Sequence, residues 1–327
     1  MNLKVNMAPR RIILDTDLSM GAGADVDDGF ALALAHADPD IQLDLVTTVN
    51  GNTDVESATI LTGVLMDRLN IKVENTPLVR GSETPILYTE KHRIPAPHVS
   101  AMKTTARKPV SGKYAPVAIV EHIMANPGEI TVVAIGPLTN IAMAILLEPR
   151  IKTAIKELVI MGGIFFGSMY SRDKPGEFNV FTDPEAARAV LYSGIPQRWI
   201  GLDVTLQVRL TMDDAESLKK SPSEFAKFAG QASATYIEYQ AVRFPGRPKM
   251  TSVPMHDPLA VACVSRPELC EYRDMAVDIV TGDGRARGMM IGDRLELPNP
   301  PKPNCRVAVG VDAEGFSEHF LSFIQTL

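Results

Sequence analysis

The stretch 12-IILDTDLSMGAGADVDDGFALALAHA-37 places five aspartates directly after an apolar run. They are Asp15, Asp17, Asp25, Asp27 and Asp28. Residues 11–14 (RIIL) have the pattern of a short buried strand, and the sequence from Asp27 onward is typical of a helix with carboxylates in its first turn. Carboxylates this close repel one another unless they are solvated, share protons or bind a cation. Because open α/β sheets place ligands at strand-to-helix turns, the cluster predicts a functional site.

The overall composition is that of an ordinary globular chain. It has 327 residues, of which 45% are hydrophobic, and a formal net charge of −6, which argues against a nucleic acid or an anionic membrane as partner. Its segment MNLKVNMAPRR lacks the apolar core of a secretion signal. The three cysteines are odd in number and have no metal-type spacing, so they suit a reducing compartment. We therefore expect a cytoplasmic protein.

Strand-like and helix-like segments alternate along the chain. Apolar runs rich in β-branched residues predict strands at 43–49, 130–136, 156–163 and 198–204. Helical patterns lie at 53–69, 114–126, 138–147 and 183–193. Such alternation indicates βαβ units. The expected fold class is therefore α/β, with an open, mostly parallel sheet flanked by helices and a Rossmann-like core.

The C-terminal part changes character. Shorter strands are predicted at 274–282, 286–292 and 305–311, and an amphipathic helix at 312–327. No linker separates the two halves, so we expect a single domain over 1–327 with a small C-terminal β elaboration. Two long irregular segments, 81–112 and 164–176, are candidates for functional loops, although solvated loops are the simpler interpretation.

Polar motifs follow several of the predicted strands. They are DTD…DVDD (15–28), NGNTD (50–54), GPLTN (136–140), MGG (161–163) with EFNVFTDPEAA (177–187), and later PMHDPLAVA (254–262). Because parallel strands end at one edge of the sheet, we expect these motifs to converge on one crevice. Carboxylate, amide and carbonyl oxygens are hard ligands, which suit Ca²⁺ or Mg²⁺ rather than zinc.

Taken in order, these motifs resemble those of the inosine-uridine type ribonucleoside hydrolases, which depend on Ca²⁺. The segments that carry the resemblance are ILDTD…DVDDGFALALA, TTVNGNTDVESAT, VAIGPLTNIAMA, LVIMGG, EFNVFTDPEAARAVL, GLDVT, HDPLAVA and VGVDAEGF. The resemblance spans nearly the whole chain. It implies the hydrolysis of a small-molecule nucleoside to free base and ribose by a Ca²⁺-activated water, a role in purine and pyrimidine salvage, and a homo-oligomer, either a dimer or a tetramer.

The resemblance also implies roles for particular residues. The implied metal ligands are Asp17, Asp28, Asp257 and the backbone carbonyl of Thr139. The implied ribose-binding residues are Asp27, Asn52, Met161, Glu177, Asn179 and Asp257. Asp17 would take a proton from the attacking water, and His256 would protonate the leaving base. These roles suit the chemistry, because breaking a ribosyl C–N bond passes through an oxocarbenium-like state that needs nearby negative charge, a base and an acid.

The sequence departs from the family pattern in three places. Nine residues, LSMGAGADV, separate Asp17 from Asp27, where the family has about three. The small residues 21–23 would let the chain bulge out and return, so Asp25 is left out of the motif and is expected to be solvated. Ser171 stands where many relatives have an asparagine, so that contact to the sugar is in doubt. The family's His-Gly segment is missing, and His92 and His98 are expected to be exposed.

Three other residues are expected to have structural roles. We expect Asp15 to be a hydrogen-bonding residue, Asp203 to tie down the end of a strand, and Trp199 to lie in the core. For Phe165 and Phe166, we expect a packing or solvated role rather than a lid above the base.

Two alternatives remain open at this point. An apolar strand ending in DTD also resembles haloacid-dehalogenase phosphatases, in which Asp15 would attack phosphorus and Asp17 would act as acid, with Mg²⁺. That interpretation leaves HDPLA unexplained. The other alternative is a non-catalytic Ca²⁺-stabilised binding protein. An assay for released ribose separates all three.

Overall fold

A mixed set of strands and helices builds the chain around one central sheet. The computed structural model describes residues 8–21, 24–72, 74–87, 99, 113–167, 170–171, 174–243, 250–295 and 298–327. The strands are β1 (Arg10–Thr16), β2 (Ile41–Thr48), β3 (Leu78–Arg80), β4 (Thr131–Ala134), β5 (Glu157–Met161), β6 (Tyr170–Ser171), β7 (Lys174–Pro175), β8 (Gln197–Ile200), β9 (Arg209–Thr211), β10 (Ser252–Pro254), β11 (Cys270–Met275), β12 (Val277–Ile279), β13 (Met290–Gly292) and β14 (Cys305–Val311).

Helices cover both faces of that sheet. They are α1 (Asp27–Ala37), α2 (Val55–Arg68), α3 (Ala115–Ala125), α4 (Thr139–Leu147), α5 (Ile151–Ala154), α6 (Phe178–Thr182), α7 (Pro184–Leu191), α8 (Leu202–Thr205), α9 (Met212–Lys219), α10 (Glu224–Arg243), α11 (His256–Ser265) and α12 (Ala313–Ile324), with a short 3₁₀ turn at Pro267–Leu269.

The central sheet has eight strands in the order β11-β14-β8-β5-β4-β1-β2-β3. All neighbours are parallel except β11, which runs antiparallel to β14. The strand β1 lies centrally, where Ile13 pairs with Leu45 of β2 and Val132 of β4. The predicted α/β class with a mostly parallel sheet is confirmed.

The alternation of side chains along β1 explains why both faces are covered. Ile12 and Leu14 pack with Phe30 of α1 in one hydrophobic cluster, whereas Ile13 packs with Ile119 of α3 in the other. Successive residues of a strand point to opposite faces, so a strand buried on both sides has an unbroken apolar sequence. This is why the apolar residues Ile12–Leu14 run without interruption up to Asp15.

One sequence prediction needs correction. The strand predicted over 198–204 ends at Ile200, and Leu202–Thr205 form the short helix α8, in which the Thr205 N–H donates to the Gly201 carbonyl at 3.1 Å. A short apolar run does not distinguish a buried strand from one helical turn. In the C-terminal part, β12 and β13 form a small separate antiparallel pair, as expected, while β11 and β14 extend the central sheet itself.

Some predictions fall where the structure gives no description. His92 and His98 of the 81–112 segment, and the side chain of Ser171, lie outside the described residues. Trp199 is fully buried in the core, as expected. Within the described ranges, no helix has the length and apolar character needed to cross a membrane.

Candidate active site

The polar motifs meet at the carboxyl edge of the sheet. Asp17 directly follows β1, and Asn52 lies in the turn after β2. Thr139 begins α4 just beyond β4, and Glu177 precedes α6 beyond β5. Asp257 is the second residue of α11, whose first residue is His256. The convergence expected from the parallel topology is therefore present.

Asp17 is enclosed by two glycines. A Cβ atom built on Gly51 would overlap Oδ2 of Asp17, and one built on Gly136 would lie 3.0 Å from Oδ1. The backbone N–H of Asn52 donates to Asp17 Oδ2 at 2.5 Å. Only glycine lets the two flanking turns approach this closely, so NGN and GPLTN shape the space around the carboxylate.

Asn52 links Asp17 to Asp28. Its side-chain Nδ2 donates to Asp28 Oδ2 at 2.9 Å, while Thr16 Oγ1 donates to Asp28 Oδ1 at 2.5 Å. Burial raises the pKa of Asp28 to about 6, although the hydrogen bonds from Thr16 and Asn52 oppose the shift. The residues around Asp28 therefore fix its orientation without neutralising its charge.

Three buried carboxylates form the centre of the site. Asp27, Asp28 and Asp257 each offer an oxygen within 4.8 Å of the others. Burial is the largest cause of the raised pKa values of Asp27 and Asp257, and the charges of neighbouring aspartates raise them further. Among the residues that the structure describes, no Lys, Arg or His forms an ion pair with any of the three. Anionic carboxylates buried this close together require a compensating charge, so the donor set fits a hard divalent cation.

His256 lies beside this group with a fixed ring orientation. Its Nδ1 is 2.6 Å from Thr205 Oγ1 of α8. Burial lowers the pKa of His256 to about 4, while the negative charge of Asp25 opposes that shift. Thr205 was not singled out from the sequence as a site residue, because α8 lies within a segment predicted to be a strand.

A second buried group lies beyond β5. Glu177 caps α6 by accepting the backbone N–H groups of Asn179 and Val180, and it also accepts that of Gly163 at 3.1 Å. The Asn179 Nδ2 group donates to the Ile135 carbonyl at 2.9 Å and approaches the Met161 carbonyl at 3.4 Å. Hydrogen bonds thus join the MGG, EFN and VAIG motifs, and these contacts fix the backbone around the site.

The residues expected to be structural make structural contacts. Asp15 Oδ1 accepts from Thr47 Oγ1 at 2.5 Å and from Asn140 Nδ2 at 2.7 Å, and burial raises the pKa of Asp15 to about 7. Asp203 accepts the backbone N–H groups of Phe165 and Phe166 at 2.8 and 3.0 Å. It therefore ties down the loop after β5.

Asp25 does not behave as expected. It is half-buried, its Oδ1 accepts the backbone N–H of Val26 at 2.9 Å, and its charge contributes to the raised pKa values of Asp27 and Tyr236. The expectation of a merely solvated aspartate on the bulge is therefore wrong. Asp25 thus lies near the carboxylate group, and Tyr236 of α10 is a neighbour that the sequence did not indicate.

These features first define a class of protein. An open parallel sheet with a buried carboxylate group at its carboxyl edge is an α/β enzyme architecture with a candidate cation site at the sheet edge. The sequence profile described as inosine-uridine preferring nucleoside hydrolase matches residues 12–318. The chain belongs to this family of ribonucleoside hydrolases.

Individual relatives agree with the family match over nearly the full length. The inosine-uridine preferring nucleoside hydrolase of Crithidia fasciculata is 33% identical over 318 residues, covering 94% of this chain and 95% of that protein. The pyrimidine-specific ribonucleoside hydrolase RihB of Escherichia coli (strain SE11) is 29% identical over 319 residues, covering 95% of each. A solved plant nucleoside hydrolase, PpNRh1, superimposes with a TM-score of 0.86 at 27% identity, covering 98% of this chain and 100% of that one. The comparisons do not favour the phosphatase or the binding-protein alternative.

Proposed function

We propose that this protein hydrolyses the N-glycosidic bond of ribonucleosides to free base and ribose. The observation that carries the proposal is the buried group of Asp27, Asp28 and Asp257 beside Asp17, at the sheet edge where the family motifs converge. The relatives differ in the bases that their names state, so the preferred base is left open.

The carboxylate group supports a Ca²⁺ site. Asp17, Asp28 and Asp257 would supply side-chain oxygens, and Thr139 a backbone carbonyl. The raised pKa values of Asp28 and Asp257, and the buried, oxygen-only character of the whole group, fit a hard cation. When bound, Ca²⁺ would promote deprotonation of a water molecule and anchor the ribose diol.

Asp17 acts as the base in this proposal. The Asn52 N–H holds one of its oxygens at 2.5 Å, which fixes the direction of the carboxylate. Asp17 accepts a proton from the attacking water. The surrounding aspartates place negative charge next to the sugar, which stabilises the positive charge that develops as the C–N bond breaks.

The remaining residues bind ribose or assist departure of the base. The proposed ribose-binding residues are Asp27, Asn52, Met161, Glu177, Asn179 and Asp257. His256 donates a proton to the leaving base, which requires that substrate binding raise its pKa from about 4, and Thr205 fixes its ring through Nδ1 at 2.6 Å.

A ribose-release assay tests the proposed function. The protein is incubated with Ca²⁺ and with inosine, guanosine, adenosine, uridine or cytidine, and reducing sugar is measured. We expect release from at least one nucleoside and none after chelation. Ca²⁺ binding without turnover would instead support the binding-protein alternative, and phosphate release from a phosphomonoester would support the phosphatase.

We also infer the cellular setting from the resemblance. The proposal is a cytoplasmic salvage enzyme for free purine and pyrimidine nucleosides, built as one domain over 1–327 and assembled as a homodimer or homotetramer. Three buried free cysteines are compatible with a reducing compartment. Light scattering on the purified protein measures the assembly.

A further inference from the structure

Two of the three cysteines lie in contact with each other, outside the candidate active site. Cys263 is in the last turn of α11, and Cys270 is the first residue of β11. Their Sγ atoms are 3.5 Å apart, and both residues are buried. The sulfur atoms of a disulfide are about 2.05 Å apart, so a bond requires these two to approach each other by only about 1.5 Å. The contact makes the two thiols a candidate pair for covalent linkage.

The third cysteine provides a comparison within the same protein. Cys305 is also buried and also lines a cavity, but its Sγ lies 3.7 Å from the Met275 carbonyl and not beside another thiol. It pairs with Met275 at the last position of β11, whereas Cys270 is at the first. The three thiols therefore have similar burial, and the presence of a second thiol distinguishes two of them from the third.

A cavity beside the pair has room for a small oxidant. Its volume is about 480 Å³, and its lining includes Cys270, Arg198 and Tyr272. The Arg198 guanidinium is held by Glu157 at 2.8 and 3.0 Å, and its Nη1 donates to the Cys263 carbonyl at 2.9 Å. One water molecule takes up about 30 Å³ in the liquid, so a hydroperoxide fits this space and contacts Cys270 from it.

The hydrogen bond between the two thiols makes the pair easier to deprotonate. The pKa of Cys263 is lowered, chiefly by its hydrogen bond with Cys270, and the positive charge of Arg198 lowers it further, while burial opposes the shift. The proton that remains lies in the hydrogen bond, so the two sulfurs share the negative charge. The thiolate is the form of cysteine that reacts with oxidants. The pair thus places a second thiol next to a reactive one.

We propose that Cys263 and Cys270 are a reversible oxidation site, at which a hydroperoxide converts the two thiols to a disulfide. One sulfur attacks the terminal peroxide oxygen as the thiolate; the O–O bond breaks, and the leaving alkoxide takes up a proton to become an alcohol. The second sulfur then attacks the resulting sulfenic acid, so that the S–S bond forms, the S–O bond breaks and water leaves. Two electrons pass from the thiols to the peroxide.

The position of the bond connects it to the rest of the fold. It would tie the last turn of α11, the helix that begins with His256 and Asp257, to the first residue of β11 at the edge of the central sheet. Disulfides in cytosolic proteins are usually transient, and a dithiol reductant would return both thiols by supplying two electrons. Oxidation is measured without a nucleoside, so its outcome is independent of the proposed function.

Mass spectrometry of the folded, full-length protein tests the proposal. The reduced protein, with Ca²⁺ present, is treated with a small excess of hydrogen peroxide, the reaction is stopped with catalase, and the remaining thiols are alkylated after denaturation. The number of alkylated thiols should fall from three to one, and dithiothreitol should restore all three. Cleavage after Glu268 separates Cys263 from Cys270, so a pair of peptides that comes apart only on reduction identifies the bond.

Serine variants separate the pair from the isolated thiol. Cys305→Ser is the matched control and should form the disulfide within about twofold of the wild-type rate, because distant sites act independently. Cys263→Ser and Cys270→Ser should form no intramolecular disulfide, and dimedone should trap a sulfenic acid on the cysteine that remains of the pair. In the wild type, the paired thiols should be lost at least about tenfold faster than Cys305, because rates follow the thiolate fraction.

Three outcomes would overturn the proposal. Three alkylated thiols after peroxide treatment would show that the folded protein forms no bond. A disulfide that appears only when the protein is unfolded in urea would show that the buried pair is not reached in the folded state. Loss of Cys305 at the same rate as the paired thiols would show that their contact confers no reactivity. The wild-type measurements decide all three, so they hold even if a serine variant folds poorly.

Discussion

Buried acids have different partners at the two ends of the central sheet. At the amino end, Asp44 Oδ2 accepts from Arg11 Nε at 2.8 Å and lies 2.9 Å from His122 Nε2. At the carboxyl end, Asp27, Asp28 and Asp257 lie together, and within the described part of the chain none of them has a cationic side chain as partner. The acids at both ends are buried, so the two ends differ in whether cationic side chains pair with those acids.

The pKa values show what this difference means. Burial alone would raise the pKa of Asp44, but hydrogen bonds from His122 and Arg11 hold it below its ordinary value. At the carboxyl end, burial raises the pKa of Asp28 to about 6, and no residue in the described ranges forms an ion pair with it. The amino end is therefore complete as a structural network, whereas the carboxyl end has the charge pattern of a site for an added cation.

The largest expected difference in kcat is between substitutions of Asp17 and of Asp44. Asp17→Asn should lower kcat by about 10⁴-fold or more, roughly 5 kcal/mol in the barrier, because it removes both the proposed base and a ligand charge. Asp44→Asn should keep kcat within about twofold, because its contacts lie at the other end of the sheet. Steady-state kinetics on both proteins checks this. Comparable losses in the two variants would remove the functional distinction between the sheet ends.

A smaller loss is expected at His256. His256→Ala should lower kcat on inosine by about 10²-fold or more, which lies in the range of general acid catalysis. A riboside with a nitrophenolate leaving group departs as a stable anion, so its hydrolysis should be nearly unaffected. The two substrates are measured in both proteins. Equal losses on both would show that His256 positions the sugar or the metal, and that the acid lies elsewhere.

The sequence was sufficient for the sheet and for the carboxylate group. The segment RIIL, with its apolar run Ile12–Leu14, predicted a short buried strand, and β1 is buried from Ile12 onward. Asp28, at a helix start beyond the first strand, was predicted to lie at the carboxyl edge that parallel strands share, and Asp257, at the entrance of a later helix, was expected to join it there. These inferences rest on periodicity and topology, which a single sequence contains.

The surroundings of the site were not predictable in the same way. The spacing around Asp25 revealed a bulge, but small residues at 21–23 allow many paths, so the position of Asp25 near the carboxylate group depends on tertiary contacts. Tyr236 lies on α10, a helix for which no pattern was recognised, and Thr205 lies on a helical turn whose apolar sequence also fits a strand. Long-range contacts of this kind have no local sequence signature.

Ca²⁺ should raise the melting temperature through the carboxyl end of the sheet and not through the amino end. A cation that binds only the folded state at a hundredfold excess over its Kd adds about 2.7 kcal/mol, so Tm should rise by several degrees. Asp28→Asn should lose most of that rise, whereas Asp44→Asn should keep it. Thermal melts with Ca²⁺ and with a chelator measure both. Full hydrolytic activity after exhaustive chelation would contradict the proposed cation site.

The smallest effect concerns acid stability at the amino end. The folded-state pKa of Asp44 is below its ordinary value, so its contacts stabilise the fold above the unfolded-state pKa of about 3.9. That contribution is lost as the pH falls through the lower folded-state pKa. Asp44→Asn should therefore cost about 1–3 kcal/mol at pH 7, the range for hydrogen bonds to charged groups, and progressively less below about pH 4. Urea unfolding of both proteins across this pH range, with chelator throughout, measures the difference. A deficit that is constant down to pH 2 would mean that packing rather than charge accounts for the role of Asp44.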